Sequence, residues 1–289
     1  MNHTHLMIRS ILLILIISSC NSGNLDFISD LPSSLNEVSG TEIASNSDLL
    51  WMLNDSGNSP KLFGMNEKGE IIRELKINAK NNDWEDLTSD KKGNLYIGDF
   101  GNNLSKRKNL AILKVKAKDL KSNGLITVER ISFRYPDQKE FPPSRKQRYF
   151  DSEALIHFKE SLYIFTKSRV RNDFGKTSLY KVPSRPGNHV ARLIGSFNSC
   201  SDIECWITSA DISDDGKQVA LLTTKSVWLF SDFENDNFLY GKSKEYALDH
   251  SSQKEGICFK DSTTLYITDE KAHGSGGNLY EFNLTHDLD

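Results

Sequence analysis

At 289 residues the chain holds 36 Lys and Arg against 39 Asp and Glu, a net charge of −3 at pH 7. That balance argues against nucleic acid as a partner, since its binding requires a concentrated basic face, and Lys106-Arg107-Lys108 and Arg145-Lys146-Gln147-Arg148 read as solvated loop tips. With an N-terminal leader set aside, the length suits one large β domain or two average ones.

The leader comes first. Arg9 is the only Lys, Arg, Asp or Glu before an apolar run over residues 11–17, which continues as Ser18-Ser19-Cys20. A bilayer span needs about 20 apolar residues, so the run reads as an export signal over residues 1–19. Its ending, Ile17-Ser18-Ser19-Cys20, resembles a bacterial lipobox. That resemblance implies cleavage before Cys20, lipid on its thiol, a lipid-anchored linker over residues 20–26 and a cell-envelope location at the membrane. A signal peptide cut elsewhere is the alternative.

Residues 27–289 read as one domain of repeated units. A short strand over residues 27–31 is followed by five units. Each opens on a small or acidic residue and reaches, after a turn, an apolar-aromatic run that closes on a polar residue. They run from Ser39 to Asn54, Glu85 to Asp99, Glu153 to Thr166, Ala210 to Thr223 and Glu255 to Asp269. A third apolar run follows in every unit, and a fourth in four of them, at residues 71–77, 126–133, 191–197 and 245–248. Short runs rich in Tyr, Ile, Val and Phe between Asp-Gly and Lys-Gly turns predict four-stranded antiparallel sheets, and radial sheets of that kind make an all-β β-propeller. Five blades are expected, with six as the alternative. The last unit lacks a fourth strand, which residues 27–31 can supply to close the ring.

In such a blade the start of the first strand and the end of the second share one face, so the marked residues converge on one mouth of the central channel. Glu85, Glu153 and Glu255 are the leading candidates for divalent-cation ligands, with Asn54, Asp99 and Asp269 second. Oxygen-rich sets of this kind suit hard cations, Ca²⁺ first, and crowded carboxylates repel unless something neutralises them. The competing reading pairs these acids with Lys167, Arg169 and Lys254, or leaves them facing channel water. The longer loops also gather on this face, as functional loops tend to do.

Cys200 and Cys205 suggest a small disulfide loop rather than zinc, because no second pair or His-x-x-x-His accompanies them. Cys258 reads as a buried thiol. His250 and His273 are candidate general bases; His157 reads as a strand residue, and Trp51, Trp84 and Trp206 as inter-blade core. The run Asp211 to Gly216 is not an EF-hand, because Leu222 stands at its twelfth position.

The runs EVSG, LWMLNDSGNSP, NDWEDL, YIGDFGNN, FDSEAL and ADISDDGK resemble bacterial secreted and lipoprotein propellers. KEGICF and TTLYITDE look like strand pairs of SdiA-regulated and phytase-like esterase propellers. Lactonase-type propellers, which use a Glu, Asn and Asp calcium set, offer a similar choice of residue types. The resemblance implies the architecture and leaves two functions open. One is an envelope propeller, monomeric, that binds a small ligand or an envelope protein through an acidic, cation-loaded mouth. The other is a metal-dependent hydrolase of ester, lactone or phosphate bonds.

Overall fold

The computed structural model describes residues 22–45, 47–272 and 274–285; the leader, Cys20 and His273 lie outside them. Strand β1 (Asp26–Asp30) precedes β2 (Val38–Ile43), β3 (Leu50–Asn54), β4 (Lys61–Met65) and β5 (Ile71–Ile77) of the first blade. The second blade holds β6 (Trp84–Ser89), β7 (Leu95–Asp99) and β8 (Ala111–Val115); β9 (Leu125–Ile126) and β10 (Glu129–Arg134) follow. The third is β11 (Asp151–Phe158), β12 (Ser161–Lys167) and β13 (Lys176–Pro183), then β14 (Gly187–Val190) and β15 (Arg192–Asn198). The fourth is β16 (Ser209–Ile212), β17 (Gln218–Leu222), β18 (Ser226–Ser231) and β19 (Lys242–Ala247). β20 (Lys254–Phe259), β21 (Thr264–Asp269) and β22 (Asn278–Asn283) complete the fifth.

Five sheets result, and β1 supplies the outer strand of the last, pairing antiparallel with β22 from Asp26↔Glu281 to Asp30↔Asn278. The expected fourth strand over residues 126–133 divides. β9 lies parallel beside β5 on the first blade, while β10 pairs with β8 on the second. β14 likewise leaves the third blade to lie parallel beside β10. The extra length of the second and third units therefore goes into these edge strands and the mouth loops, not into a sixth blade.

Inner strands are buried on both faces: LWMLN of β3 and LYIGD of β7 are buried at every position. Toward the outside the alternation of a half-exposed strand returns, as in β5. The core divides into five clusters, one at each blade junction. Trp51, Leu53 and Leu62 meet Trp84, Ile97 and Leu113 between the first two blades; Leu35, Val38 and Met52 meet Cys258, Tyr266 and Leu279 where the fifth meets the first. Burying each such side chain contributes about 1.5–3 kcal/mol, so ring closure is driven by the same chemistry as every other junction.

Polar side chains stitch the first strands together along the channel. Ser39 Oγ donates to the Glu85 carbonyl at 2.5 Å, and Thr208 Oγ1 to that of Lys254 at 2.7 Å. Asp86 accepts Leu155 N–H at 2.8 Å and Ser209 Oγ–H at 3.0 Å, joining blades two, three and four. Asp211 accepts Phe259 N–H at 2.7 Å, joining four to five.

Candidate functional site

In four blades the pairing of the first two strands shifts register at the same place. The shifts fall across Ser39, across Glu85 and Asp86, across Glu153, and across Glu255. A bulge inserts an unpaired residue and re-aims its side chain. Three of the same-register acids are therefore turned out of their ladders toward one channel mouth. There Ser39, Glu85, Glu153 and Glu255 line a cavity of about 450 Å³. In the fourth blade β16 and β17 pair without a shift, and no acid stands there.

Glu85 has two companions that sequence reasoning missed. Carboxylate oxygens of Asp55, Asp83 and Glu85 lie within 4.8 Å of one another. Asp55 follows the last residue of β3 and Asp83 precedes the first of β6, each one step outside the repeat. Asn81 holds these two chain segments together: its amide donates to the carbonyls of Asn54 at 3.1 Å and Asp55 at 2.8 Å, and its oxygen accepts Trp84 N–H at 3.0 Å. The third wall is Gly101, whose N–H donates to the Asp83 carbonyl at 3.2 Å. A Cβ there would stand 1.8 Å from Glu85 Oε1, so close approach, not backbone freedom, requires glycine. The signal in the sequence was the pair of Asn-Asp dipeptides flanking the marked positions.

Glu153 has a different environment. Its carboxylate takes Lys167 Nζ at 3.0 Å and Arg169 Nη2 at 3.1 Å, and Arg169 also pairs with Asp151 at 2.5 Å. Lys167 and Arg169 stand over the Trp206 ring, 5.1 and 4.7 Å from its centroid. Trp206, expected in the core, is thus half-buried in the cavity wall, its N–H donating to the Ser168 carbonyl at 2.5 Å. It follows directly on the turn clamped by the Cys200–Cys205 disulfide, with Cα atoms 5.8 Å apart.

Glu255 is 7% exposed, and its Oε2 has no hydrogen-bond partner among the described residues. Burial, opposed by Lys167 and reinforced by Glu153, pushes its pKa up to about 7. Glu270, on the same wall, rises to about 8 through burial and the charges of Glu255 and Asp55. Glu85 is pushed well above the usual carboxylate range by burial, then by Glu153, Asp55 and Asp83; Asp55 and Asp83 are raised as well, burial leading.

The remaining candidates do not line this cavity. Asp99 is fully buried, bonded to Arg107 at 2.8 Å and Asn82 at 2.7 Å. Asp269, also buried, accepts Asn278 N–H at 2.8 Å and the Tyr280 hydroxyl at 3.2 Å. Asn54 donates to the Ser34 carbonyl at 2.7 Å, while its buried Oδ1 has no partner among the described residues. His250 lines a neighbouring hollow, its ring 5.3 Å from that of Tyr280. Lys254, fully buried, donates to the Thr224 carbonyl at 2.9 Å and the His250 carbonyl at 2.8 Å rather than to the mouth acids. A second cavity, of about 420 Å³, opens at the other end of the channel, lined by Glu42, Asp211 and His157.

Charge balance separates the two halves of the mouth. Glu153 and Asp151 are compensated by Lys167 and Arg169; Asp55, Asp83 and Glu85 form no ion pair among the described residues. All-oxygen donors with uncompensated negative charge suit a hard divalent cation, and the glycine cradle keeps their oxygens close.

No protein-family model and no curated protein matches the chain. Among solved structures it is similar to a gluconolactonase from Xanthomonas campestris, with a TM-score of 0.51, 13% identity, and 92% of each chain covered. It is also similar to a chain of a nidogen/laminin complex, with a TM-score of 0.50, 11% identity, and 86% and 76% coverage of this and that chain. A virginiamycin B lyase from Staphylococcus aureus aligns at a TM-score of 0.43 and 14% identity, with 88% and 68% covered. For the gluconolactonase and the nidogen/laminin chain, at these identities, the similarity is one of fold.

Proposed function

We propose that the channel mouth binds a divalent cation, Ca²⁺ first, on Asp55, Asp83 and Glu85, and that a small oxygen-rich ligand completes its shell. The convergence of these three carboxylates within 4.8 Å carries the reading. Hard cations of this class take about six to eight oxygens, so three carboxylates leave room for ligand and water in the adjoining cavity. Calorimetry with Ca²⁺ and Mg²⁺ tests it: Asp83→Asn lowers affinity at least roughly tenfold, worth about 1.4 kcal/mol. An absence of heat at millimolar metal withdraws the proposal.

A hydrolase of ester, lactone or phosphate bonds is the second reading, favoured by the unpartnered Oε2 of Glu255 in the same cavity. A carboxylate whose pKa lies near neutrality is suited to general-base work. A bound cation would supply polarisation of a ligand oxygen; Glu255 accepts the proton of a cavity water, and Lys167 and Arg169 pair with Glu153 beside it. The resemblance to esterase-like propellers supports this reading without supplying its residues. In a hydrolase screen with Ca²⁺, Glu255→Gln loses turnover but keeps cation affinity; retained turnover sinks the reading.

Lipid anchoring at Cys20 and an envelope location belong to the same proposal, supported by the leader and its Ile17-Ser18-Ser19-Cys20 ending. Recovery of the native protein in the soluble fraction with an unmodified N-terminus overturns the anchoring.

A further inference from the structure

The mouth loops of the second blade carry a feature the channel does not use. Residues 100–109 and 135–150 hold seven Lys and Arg against two acids, in a chain whose net charge is −3; the sequence thus concentrates basic charge on one rim. Leu104, 50% exposed, and Phe141, 36% exposed, stand among these cations. Lys106, Lys108, Arg145 and Lys146 are exposed beside them.

The two loops form one built surface. Buried Gln138 donates to the Ser105 carbonyl at 2.7 Å, buried Asn102 to that of Phe150 at 3.2 Å, and Lys108 lies 5.1 Å above the Phe141 ring. The described chain also begins at this end: Asn24 N–H donates to the Leu248 carbonyl at 2.9 Å, just past β19, a strand that runs toward the mouth. At the opposite end Tyr240 lies 72% exposed in a setting of balanced charge, where Asp236 pairs with Lys181 and Arg192 and Asp232 with Lys242.

We propose that the rim of the second blade is a docking surface for an anionic lipid bilayer. Apolar tips ringed by cations fit the headgroup boundary, where the side chains of Leu104 and Phe141 enter the interface and the lysines and arginines meet lipid phosphates. Charge complementarity selects the bilayer, and the half-exposed aliphatic Leu104 selects it over nucleic acid, to whose backbone such a tip contributes nothing. Gly101 and Asn103 at the base of this loop border the acidic cavity, but Leu104, Lys106, Lys108 and Phe141 do not line it, so their substitution tests the rim without touching the carboxylate cluster.

Hydrogen exchange of the full chain tests it, with vesicles of phosphatidylglycerol and phosphatidylcholine against phosphatidylcholine alone. Exchange over residues 103–109 and 138–148 slows severalfold on anionic vesicles, not on neutral ones, and the effect weakens with added salt. The double variant Leu104→Asp/Phe141→Asp loses this slowing while its blades exchange as in the parent, Lys106→Glu/Lys108→Glu loses it too, and Tyr240→Asp keeps it. The proposal is overturned by slowing that is absent, that survives in both double variants, or that falls equally around Tyr240. Slowing that grows with protein concentration without vesicles, which assigns the rim to a second copy, overturns it as well, as does equal slowing by duplex DNA.

Discussion

Replacing Asp86 with alanine tests the claim that one carboxylate holds three blades together beneath the mouth. Its oxygens accept Leu87 N–H at 2.9 Å, Leu155 N–H at 2.8 Å, Ser209 Oγ–H at 3.0 Å and Ala210 N–H at 3.4 Å, all at a fully buried position. Alanine leaves the amides of Leu155 and Ala210 without acceptors, and each buried orphan costs about 1–3 kcal/mol. Ser209 loses the acceptor of its hydroxyl proton as well, while its oxygen still accepts Ile257 N–H at 3.3 Å. Against this, burial pushes the Asp86 pKa well up, so removing the carboxylate relieves a desolvation cost. The net loss is about 2–4 kcal/mol, a large part of the roughly 5–15 kcal/mol that stabilises a domain. At about 2–4 °C per kcal/mol for a domain of this size, Tm falls by about 4–16 °C. Urea denaturation followed by tryptophan fluorescence measures it, with an unchanged m-value expected. A midpoint that gives less than about 0.5 kcal/mol of loss, the usual range for an inconsequential substitution, would refute the hub.

The elevated acids make stability depend on pH. Between the ordinary glutamate value of 4.5 and about 7 the folded chain keeps a proton on Glu255 that the unfolded chain has released. Stability is therefore highest below that window, falls as pH rises through it and levels off above, by about 3 kcal/mol at about 1.4 kcal/mol per unit. Urea titrations in chelator should show that fall, and Glu255→Gln should flatten it; a parent chain more stable at pH 8 than at pH 5 contradicts the assignment. Gly101→Ala pushes a methyl group into Glu85 Oε1. It should lower Ca²⁺ affinity at least roughly tenfold, about 1.4 kcal/mol, by calorimetry, with the far-ultraviolet circular dichroism of the parent retained; full affinity would separate Glu85 from the cation.

The strands were readable because apolar-aromatic runs such as Leu95-Tyr96-Ile97 and Leu265-Tyr266-Ile267 recur in one register, and because the last unit needed an outer strand that Phe27 and Ile28 could furnish. The shared face of Glu85, Glu153 and Glu255 was readable for the same reason. Their separate environments were not. Pairing with Lys167 and Arg169 was the competing expectation and is found at Glu153; that it falls, among the described residues, on this acid alone of the three, and that Lys254 donates to carbonyls instead, depends on side-chain reach rather than periodicity. Asp55 and Asp83 stood outside the repeat, and Asn81, which spans two blades, helps bring them together. Trp206 looked like core because it neighbours an apolar strand, yet it borders the acidic mouth, where the cations of Lys167 and Arg169 cover its ring. The parallel edge strands β9 and β14 were unreadable because their short segments pair with a blade other than their own.

The pairing of β1 with β22 imposes an order on the life of the molecule. The strand that seals the fifth blade is made before the other four blades, and its partner after them. Until both are available the fifth sheet has an open edge, Leu35 and Val38 lack the side chains of Cys258 and Tyr266 that they meet in the ring, and the walls bearing Glu85 and Glu255 are not held in one circle. A nascent chain therefore cannot assemble the mouth piecemeal: the site comes into existence only when the two ends of the domain meet.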